Sequence, residues 1–367
     1  MSVVIFIIVL SILILVHEWG HFVTAKSVGV KVERFSLGFG PKLFSFVREG
    51  TEFMVCAVPL GGYVKMAGDE RSSCKGGVEE YYSHSVGHRA LIVIMGPVVN
   101  YILAYLCLCL VFILGYPTLS PNIGDLKPNY PAQMAGLQKG DTIVQIGSKK
   151  IQSWEDVQKS ISTSNEAQLN LSVLRDGQKI EKTIAPREDF LQNVFGQKEK
   201  VRVIGIVPEE KIVILKYGFV ESIVKSFHHL SDVTVTTYKA LYRMVTGAVP
   251  FKDLTGPTGP TGLIGLFFII QKASELGFTY LLYVVGVISA SLAIFNILPL
   301  PVLDGGHLFL LGIEKLRRKS LPANIDDIIS RVGISFILCL AFFVFYVDFV
   351  RYGWIDKIVG VWKQLGL

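Results

Sequence analysis

The pentapeptide His17-Glu18-Trp19-Gly20-His21 has the residue types and the spacing of a metal site. Residues four apart lie on one face of a helix, so the imidazoles of His17 and His21 can bind one ion. Glu18 would lie close enough to take a proton from a water on that ion. Catalytic zinc keeps three protein ligands and one open position, so this segment lacks a ligand. Short matches also arise by chance, and these polar side chains could instead mark a helix end in interfacial water.

The best candidate for the third ligand is Asp304, in the segment Asn296–His307. Pro299 and Pro301 break a helix before it, and the two glycines that follow it allow a sharp turn. A carboxylate on such a bend could face the two histidines. An ordinary loop with a solvated aspartate explains the sequence equally well.

The elements that carry these residues are predicted to lie in a membrane. The chain of 367 residues is 51% hydrophobic and 18% charged, with a mean hydropathy of +0.48, whereas soluble domains are about 25% charged. About four runs are long enough to span a bilayer, which takes about 20 residues. They are Val3–Val28, Ala90–Leu114, Phe278–Leu298 and Val332–Val350. Gly262–Gln271 is too short to cross alone and is predicted to be interfacial or re-entrant.

Charges next to these runs predict the orientation. Lysines and arginines follow the first span, from Lys26 to Arg89, and the third, from Lys315 to Lys319, which puts both loops in the cytoplasm. Both termini and the long segment between the second and third spans would then be extracytoplasmic. The net charge of +6 shows no basic run interleaved with aromatics, so no nucleic-acid partner is expected.

The segment between the second and third spans reads as a small α+β domain. Strands are predicted at Asp141–Ile146, Leu169–Leu174, Ile180–Ile184 and Val201–Val207, with a helix at Trp154–Ile161 capped by Ser153. Asp176-Gly177 is a hairpin signal. An amphipathic helix should follow between Val220 and Val245, then a stiff loop at Gly256–Gly262.

Several motifs together resemble the site-2 protease family, and more narrowly the bacterial regulator-of-sigma-E protease group. Besides the first pentapeptide they are Gly38–Pro41, Pro59–Met66, Gly96–Asn100 and Asn296–Asp304, in the family's order and spacing. The resemblance covers nearly the whole chain.

This resemblance implies that His17, His21 and Asp304 bind Zn²⁺, that Glu18 is the general base, and that Asn296 holds the substrate or the developing oxyanion. It implies that Glu52–Met66 forms a membrane-associated β-hairpin whose edge pairs with an unwound substrate strand. The residues it implies as substrate contacts are Gly61, Gly62, Tyr63, Val64, Pro299 and Pro301.

The segment Tyr130–Asp141 is similar to a PDZ signature, and only one such domain fits between the spans. The expected organisation is therefore a membrane part with two spans and the β-hairpin (1–115), a PDZ-like domain (116–210), an amphipathic helix with linker (211–262) and a second membrane part with two spans (263–367).

The expected fold is a polytopic α-helical membrane protein of the bacterial inner membrane, with its active site facing the cytoplasm and its PDZ-like domain outside. The expected function is hydrolysis of a peptide bond in or near the transmembrane segment of a single-span protein, of the anti-sigma factor or remnant signal peptide type. The PDZ-like domain would bind C-termini of peptides or proteins. Two alternatives stay open: an inactive PDZ membrane adaptor, and a metal or proton transporter, because intramembrane His and Asp also mark ion paths.

Overall fold

Four apolar helices form the framework of the chain. The structure is a computed structural model that describes residues 2–71, 74–192, 198–247 and 262–351. Within these ranges the helices long and apolar enough to cross a membrane are α1 (Ser2–Ser27), α2 (Val86–Leu114), the helix Phe278–Asn296 and Arg331–Arg351 of the helix Ala323–Arg351. The four predicted spans are confirmed as helices. The predicted loop at Gly256–Gly262 lies outside the described residues, except for Gly262.

A long two-stranded hairpin follows α1. Its strands are β1 (Val32–Arg48) and β2 (Thr51–Met66), so the hairpin predicted within Glu52–Met66 in fact begins at Val32, and Glu52–Met66 belongs to its second strand. β2 doubles back, because Phe35 pairs with Phe53 on one side and with Val64 on the other. Phe22 of α1 packs against this sheet, with its ring centroid 5.4 Å from that of Phe35 and 5.5 Å from that of Phe53. The hairpin is thereby fixed to the helix that carries the histidines.

A second unit comprises Val111–Ser222 with Ala240–Gly259, a wider range than the predicted 116–210. Its elements are β3 (Tyr116–Leu119), β4 (Ile123–Leu126), α3 (Pro131–Met134), β5 (Thr142–Ile146), β6 (Lys149–Lys150), α4 (Trp154–Ser162), β7 (Leu169–Arg175), β8 (Gln178–Ile184), β9 (Arg187–Gln192), β10 (Lys198–Val203), β11 (Ile206–Pro208) and β12 (Ile212–Leu215). The order β6-β5-β7-β8 forms the largest sheet, and β3 pairs with β12, β4 with β11 and β9 with β10.

Local sequence signals explain several of these elements. Asp176 and Gly177 have φ of 48° and 81°, which a tight turn between β7 and β8 requires. Ser153 caps α4 in a capping box with Asp156. The strand predicted at Val201–Val207 is wrong as a single strand: Gly205 has φ of 83° and lies against Tyr130, so the chain turns there and β10 and β11 are separate.

The remaining described helices follow β12, and the first of them has its middle in the first unit and its two ends in the second. They are α5 (Phe219–Val245), α6 (Leu263–Leu276), α7 (Phe278–Asn296), α8 (Asp304–Arg317) and α9 (Ala323–Arg351). With 14 residues, α6 is shorter than a single crossing needs. Asp348 of α9 is buried and accepts hydrogen bonds from the N–H groups of Gly262 and Gly265, at 3.1 and 3.0 Å, which satisfies the N-terminus of α6.

Candidate metal centre

His17 and His21 lie one turn apart on the same face of α1. Their Nε2 atoms are 3.2 Å apart and their ring centroids are 4.8 Å apart, so both present the same ring nitrogen to one point. His21 Nδ1 lies 2.9 Å from the carbonyl oxygen of Ile92 in α2. Because a carbonyl only accepts, this bond puts the proton of a neutral His21 on Nδ1 and leaves the Nε2 lone pair free for a metal.

Asp304 is the first residue of α8 and lies next to the two histidines, although it is far from them in the sequence. Its Oδ2 is 3.1 Å from His17 Nε2, and its Oδ1 is 3.6 Å from His21 Nε2. The bend before it is tight: a Cβ at Gly305 would lie 2.1 Å from the carbonyl oxygen of Ile297. Glycine there lets the residues between α7 and α8 fold against the first turn of α8, so Asp304 reaches α1.

The three ligand atoms fit a zinc ion. One atom from each of His17, His21 and Asp304 lies within 4.8 Å of the others, the only such group among the described residues. Asp304 Oδ2 is buried and has no hydrogen-bond partner with acceptable geometry, although His17 Nε2 lies 3.1 Å away. Two imidazole Nε2 atoms and a carboxylate oxygen that converge on one point form the N₂O donor set of catalytic zinc, with one position left open.

Glu18 lies beside this centre and against the hairpin. A Cβ at Gly62 would lie 3.3 Å from Glu18 Cγ, so the strand backbone packs directly on the Glu18 side chain. The hairpin therefore packs against a carboxylate that lies next to the three ligands without belonging to them.

These residues share a cavity of about 710 Å³. Its lining includes the predicted site residues His17, Glu18, His21, Gly61, Gly62, Tyr63, Val64, Asn296, Pro301 and Asp304. Pro299 is exposed and is not among the lining residues. The structure thus brings together all the sequence-predicted site residues except Pro299.

Two glycines let α1 and α2 approach at the centre. A Cβ at Gly96 would lie 2.3 Å from His21 Nε2 and 2.9 Å from His17 Cε1, and a Cβ at Gly20 would lie 2.4 Å from the carbonyl oxygen of Met95. Small residues at such a crossing allow close backbone contact between membrane helices. The sequence motif Gly96–Asn100 contains this glycine about one helical turn before Asn100, but nothing in the motif indicates that Gly96 packs against His21.

A buried ion cluster borders the same cavity and was not predicted. Glu314 of α8 pairs with Arg89 of α2 at 2.9 Å and with Arg71, and only 2% of its side chain is exposed. Burial opposes ionisation of Glu314, but the Leu321 N–H and the two guanidinium groups outweigh it and lower the pKa of the carboxyl. The cluster ties α2 to the helix that begins at Asp304. Nothing in the local sequence around Arg89 or Glu314 indicates that they meet.

Comparisons with known proteins agree with this centre. The model of peptidase family M50 matches residues 5–340. A protein of Mesorhizobium japonicum that carries the name of a zinc metalloprotease is 31% identical, over 94% of this chain and 97% of that protein. One of Campylobacter jejuni with the same kind of name is 34% identical, over 94% of this chain and 92% of that protein.

Two further matches cover very different shares of this chain. The regulator of sigma E protease of Haemophilus influenzae is 29% identical, over 94% of this chain and 98% of that protein. The crystal structure of the PDZ domain of an SdrC-like protein from Listeria innocua is similar to 25% of this chain and covers 96% of that domain, at 19% identity and a TM-score of 0.20. At that score the similarity carries no argument about the second unit.

Proposed function

This chain belongs to peptidase family M50, the site-2 protease family, and we propose that His17, His21, Asp304 and Glu18 form the centre at which it hydrolyses peptide bonds. It is an intramembrane zinc metalloprotease. The observation that carries the proposed centre is the convergence of the three ligand atoms within 4.8 Å, with Glu18 in the wall of the same cavity.

The reaction assigns one role to each residue. His17, His21 and Asp304 would hold zinc, which would supply Lewis-acid polarisation of the scissile carbonyl and lower the pKa of a bound water to about 7. Glu18 takes the proton of the attacking water and gives it to the leaving amine, as general base and then general acid. The Asn296 amide, which lines the cavity, donates a hydrogen bond to the oxyanion that develops on the carbonyl.

The hairpin presents the substrate as a strand. Leu37 pairs with Gly62 and Phe35 with Val64, so one edge of this β2 segment is occupied by β1 while its residues line the cavity. A peptide in a helix shields its carbonyls by hydrogen bonds, so it must unwind before attack. Pairing of the unwound peptide with the Gly61–Val64 segment would keep it extended beside Glu18.

The substrates are single-span membrane proteins, of the anti-sigma factor or remnant signal peptide type, cut in or near their membrane segment. The second unit is a single PDZ-like domain that binds C-termini. The alignment with the regulator of sigma E protease of H. influenzae runs over 439 positions, more than the 367 residues here, so that relative has inserted residues that this chain lacks. This supports one such domain rather than two.

The protein lies in the inner membrane of a bacterium. Its cavity opens to the cytoplasm, and its second unit lies on the extracytoplasmic side. Support comes from the lysines and arginines that follow the spans α1 and α7, from Lys26 to Arg89 and from Lys315 to Lys319. A cysteine-free variant with cysteine introduced at exposed Glu166 should react with an impermeant thiol reagent in intact cells, and one with cysteine at exposed Glu79 should react only after lysis. The reverse pattern would contradict this orientation.

Cleavage of a tagged single-span protein by the full chain in detergent tests the function. Glu18→Gln should abolish cleavage while zinc stays bound, and a zinc chelator should abolish cleavage by the wild type. Glu33→Gln makes the same charge change on an exposed hairpin residue outside the cavity and should cut like the wild type. Equal cleavage by wild type and Glu18→Gln would refute the role of Glu18. A wild type that holds no zinc and cuts nothing would favour the adaptor.

A further inference from the structure

Asn100 of α2 is a fully buried amide beside the metal centre. Its exposed fraction is 0%, and its Nδ2 lies 3.4 Å from His17 Nδ1. Its Oδ1 is buried and accepts no hydrogen bond. Its main-chain carbonyl accepts a hydrogen bond from Ser289 Oγ of α7 at 2.8 Å, so the backbone at this position is anchored independently of the amide. A buried amide oxygen without a donor, on an amide whose nitrogen lies 3.4 Å from the imidazole of a proposed metal ligand, needs an explanation.

The tautomer of His17 supplies one. His17 faces His21 and Asp304 with Nε2, so a neutral imidazole that binds metal through Nε2 carries its proton on Nδ1. That N–H is a donor, and of the two ends of the Asn100 amide only the oxygen can accept from it. The nitrogen and oxygen of an amide have the same shape, so a half-turn of the amide exchanges them. The turned amide gives both the His17 N–H and the unsatisfied Oδ1 a partner.

His21 shows the same arrangement one turn away. Its Nδ1 donates to the carbonyl oxygen of Ile92, eight residues before Asn100 on α2. The helices α1 and α2 run antiparallel where Gly20 meets Met95, so residue 92 reaches His21 and residue 100 reaches His17. One helix can thus orient both imidazoles, with a main-chain acceptor for one and a side-chain acceptor for the other.

We propose that Asn100 is a positioning residue: its Oδ1 accepts the hydrogen bond of His17 Nδ1–H and so directs the His17 Nε2 lone pair at the metal. This inference rests on the proposed zinc ligands. Such outer partners fix the tautomer and the ring plane of a ligating histidine, and their loss weakens metal binding by about 10–100-fold.

Zinc affinity of the full chain in detergent, measured by competition with a chromophoric chelator, tests the proposal. Asn100→Leu removes the acceptor and should weaken zinc binding by about 10–100-fold. Asn100→Asp keeps two acceptor oxygens and no donor, and should bind zinc at least as tightly as the wild type. Ser289→Ala removes only the bond to the main-chain carbonyl of Asn100, so it should leave zinc affinity unchanged.

The two replacements at position 100 separate the two orientations of the amide. If the nitrogen of Asn100 donated to His17, the aspartate would lose that bond and weaken zinc binding as much as leucine; this result, or wild-type affinity in Asn100→Leu, would overturn the proposal. A wild type without zinc would instead refute the ligand set itself.

A measurement on the wild type removes any dependence on folding of the variants. The ¹⁵N spectrum of the zinc-loaded protein with labelled histidine should show His17 with a protonated Nδ1 and a metal-bound Nε2. His21 should give a second signal of this kind because its Nδ1 donates to Ile92, so two metal-bound histidines with a protonated Nδ1 are expected. A His17 signal with an unprotonated Nδ1 would overturn the proposal, whatever Asn100→Leu does.

Discussion

Gly96→Ala should strongly weaken zinc binding while it changes the folding stability only slightly. The added Cβ would lie 2.3 Å from Nε2 and 2.5 Å from Cε1 of His21, and 2.9 Å from Cε1 of His17. Atoms that are not bonded keep about 3.5–4.0 Å, so the overlap is about 1 Å. The atoms in the way are the ends of two side chains, which can rotate. The rearrangement that costs least free energy therefore rotates the two imidazoles away from Asp304.

The size of the effect follows from that relief. A displaced ligand costs more than a lost outer partner, so zinc affinity should fall by at least about 100-fold. Overpacking costs about 1–3 kcal/mol of folding free energy, and alanine in a helix regains about 0.5–1 kcal/mol relative to glycine. The melting temperature should therefore change little. Bound zinc after dialysis against graded chelator, and thermal unfolding of the same sample, measure the two effects.

Two other glycines serve as matched controls. Gly312→Ala on α8 places a methyl group where no atom lies within 4 Å, so zinc affinity should match the wild type. Gly20→Ala meets the main-chain carbonyl of Met95 at 2.4 Å, which cannot rotate away, so α1 and α2 must separate and the melting temperature should fall more than in Gly96→Ala. Wild-type zinc affinity in Gly96→Ala would refute the reasoning.

Three further predictions concern other parts of the chain. Asn296→Ala should lower kcat by about 10²–10³ with zinc content unchanged, because it removes an oxyanion donor rather than a ligand. Glu314→Gln should destabilise the fold by about 3–5 kcal/mol, read from thermal unfolding, because two guanidinium groups lose their buried partner. Asp141 is buried, which opposes ionisation, but Arg175 bonded at 2.7 Å outweighs this and lowers the pKa of the carboxyl. The stability it contributes is present above the unfolded pKa of about 3.9 and is lost as pH falls through the lower folded pKa, so hydrogen exchange in β7 should accelerate there.

Each of these has a control and a contrary result. Loss of zinc in Asn296→Ala would assign Asn296 to the ligand shell instead. Glu188→Gln breaks an exposed pair with Lys200 and should cost at most about 1 kcal/mol; an equal loss in both variants would contradict the argument from burial. Asp141→Asn should exchange faster in β7 at neutral pH and lose the acid-dependent part of the change; an unchanged acid response in this variant would assign that response to other carboxyls.

Local sequence patterns predicted much of the fold. Four apolar runs were recognisable as helices because a backbone in lipid must satisfy its own hydrogen bonds, which a helix of about 20 mostly apolar residues does. The turn at Asp176-Gly177 and the cap at Ser153 depend on neighbouring residues only, and both were predicted. The strand predicted at Val201–Val207 failed because Gly205 takes a positive φ against Tyr130, a residue 75 positions earlier, which no local pattern records.

The sequence alone places His17 and His21 on one helix face, because the helical period sets the relation of residues four apart. It left open whether Asp304, 283 residues after His21, meets them, since a bend after a span fits a solvated loop equally well. The packed fold answers this question, through the close packing at Gly305 and the crossing of α1 and α2 at Gly20 and Gly96. It alone also brought Ile92, Asn100 and Glu314 to the cavity. Such contacts depend on how helices pack, and packing is set by the shapes of two surfaces together, which neither segment encodes alone.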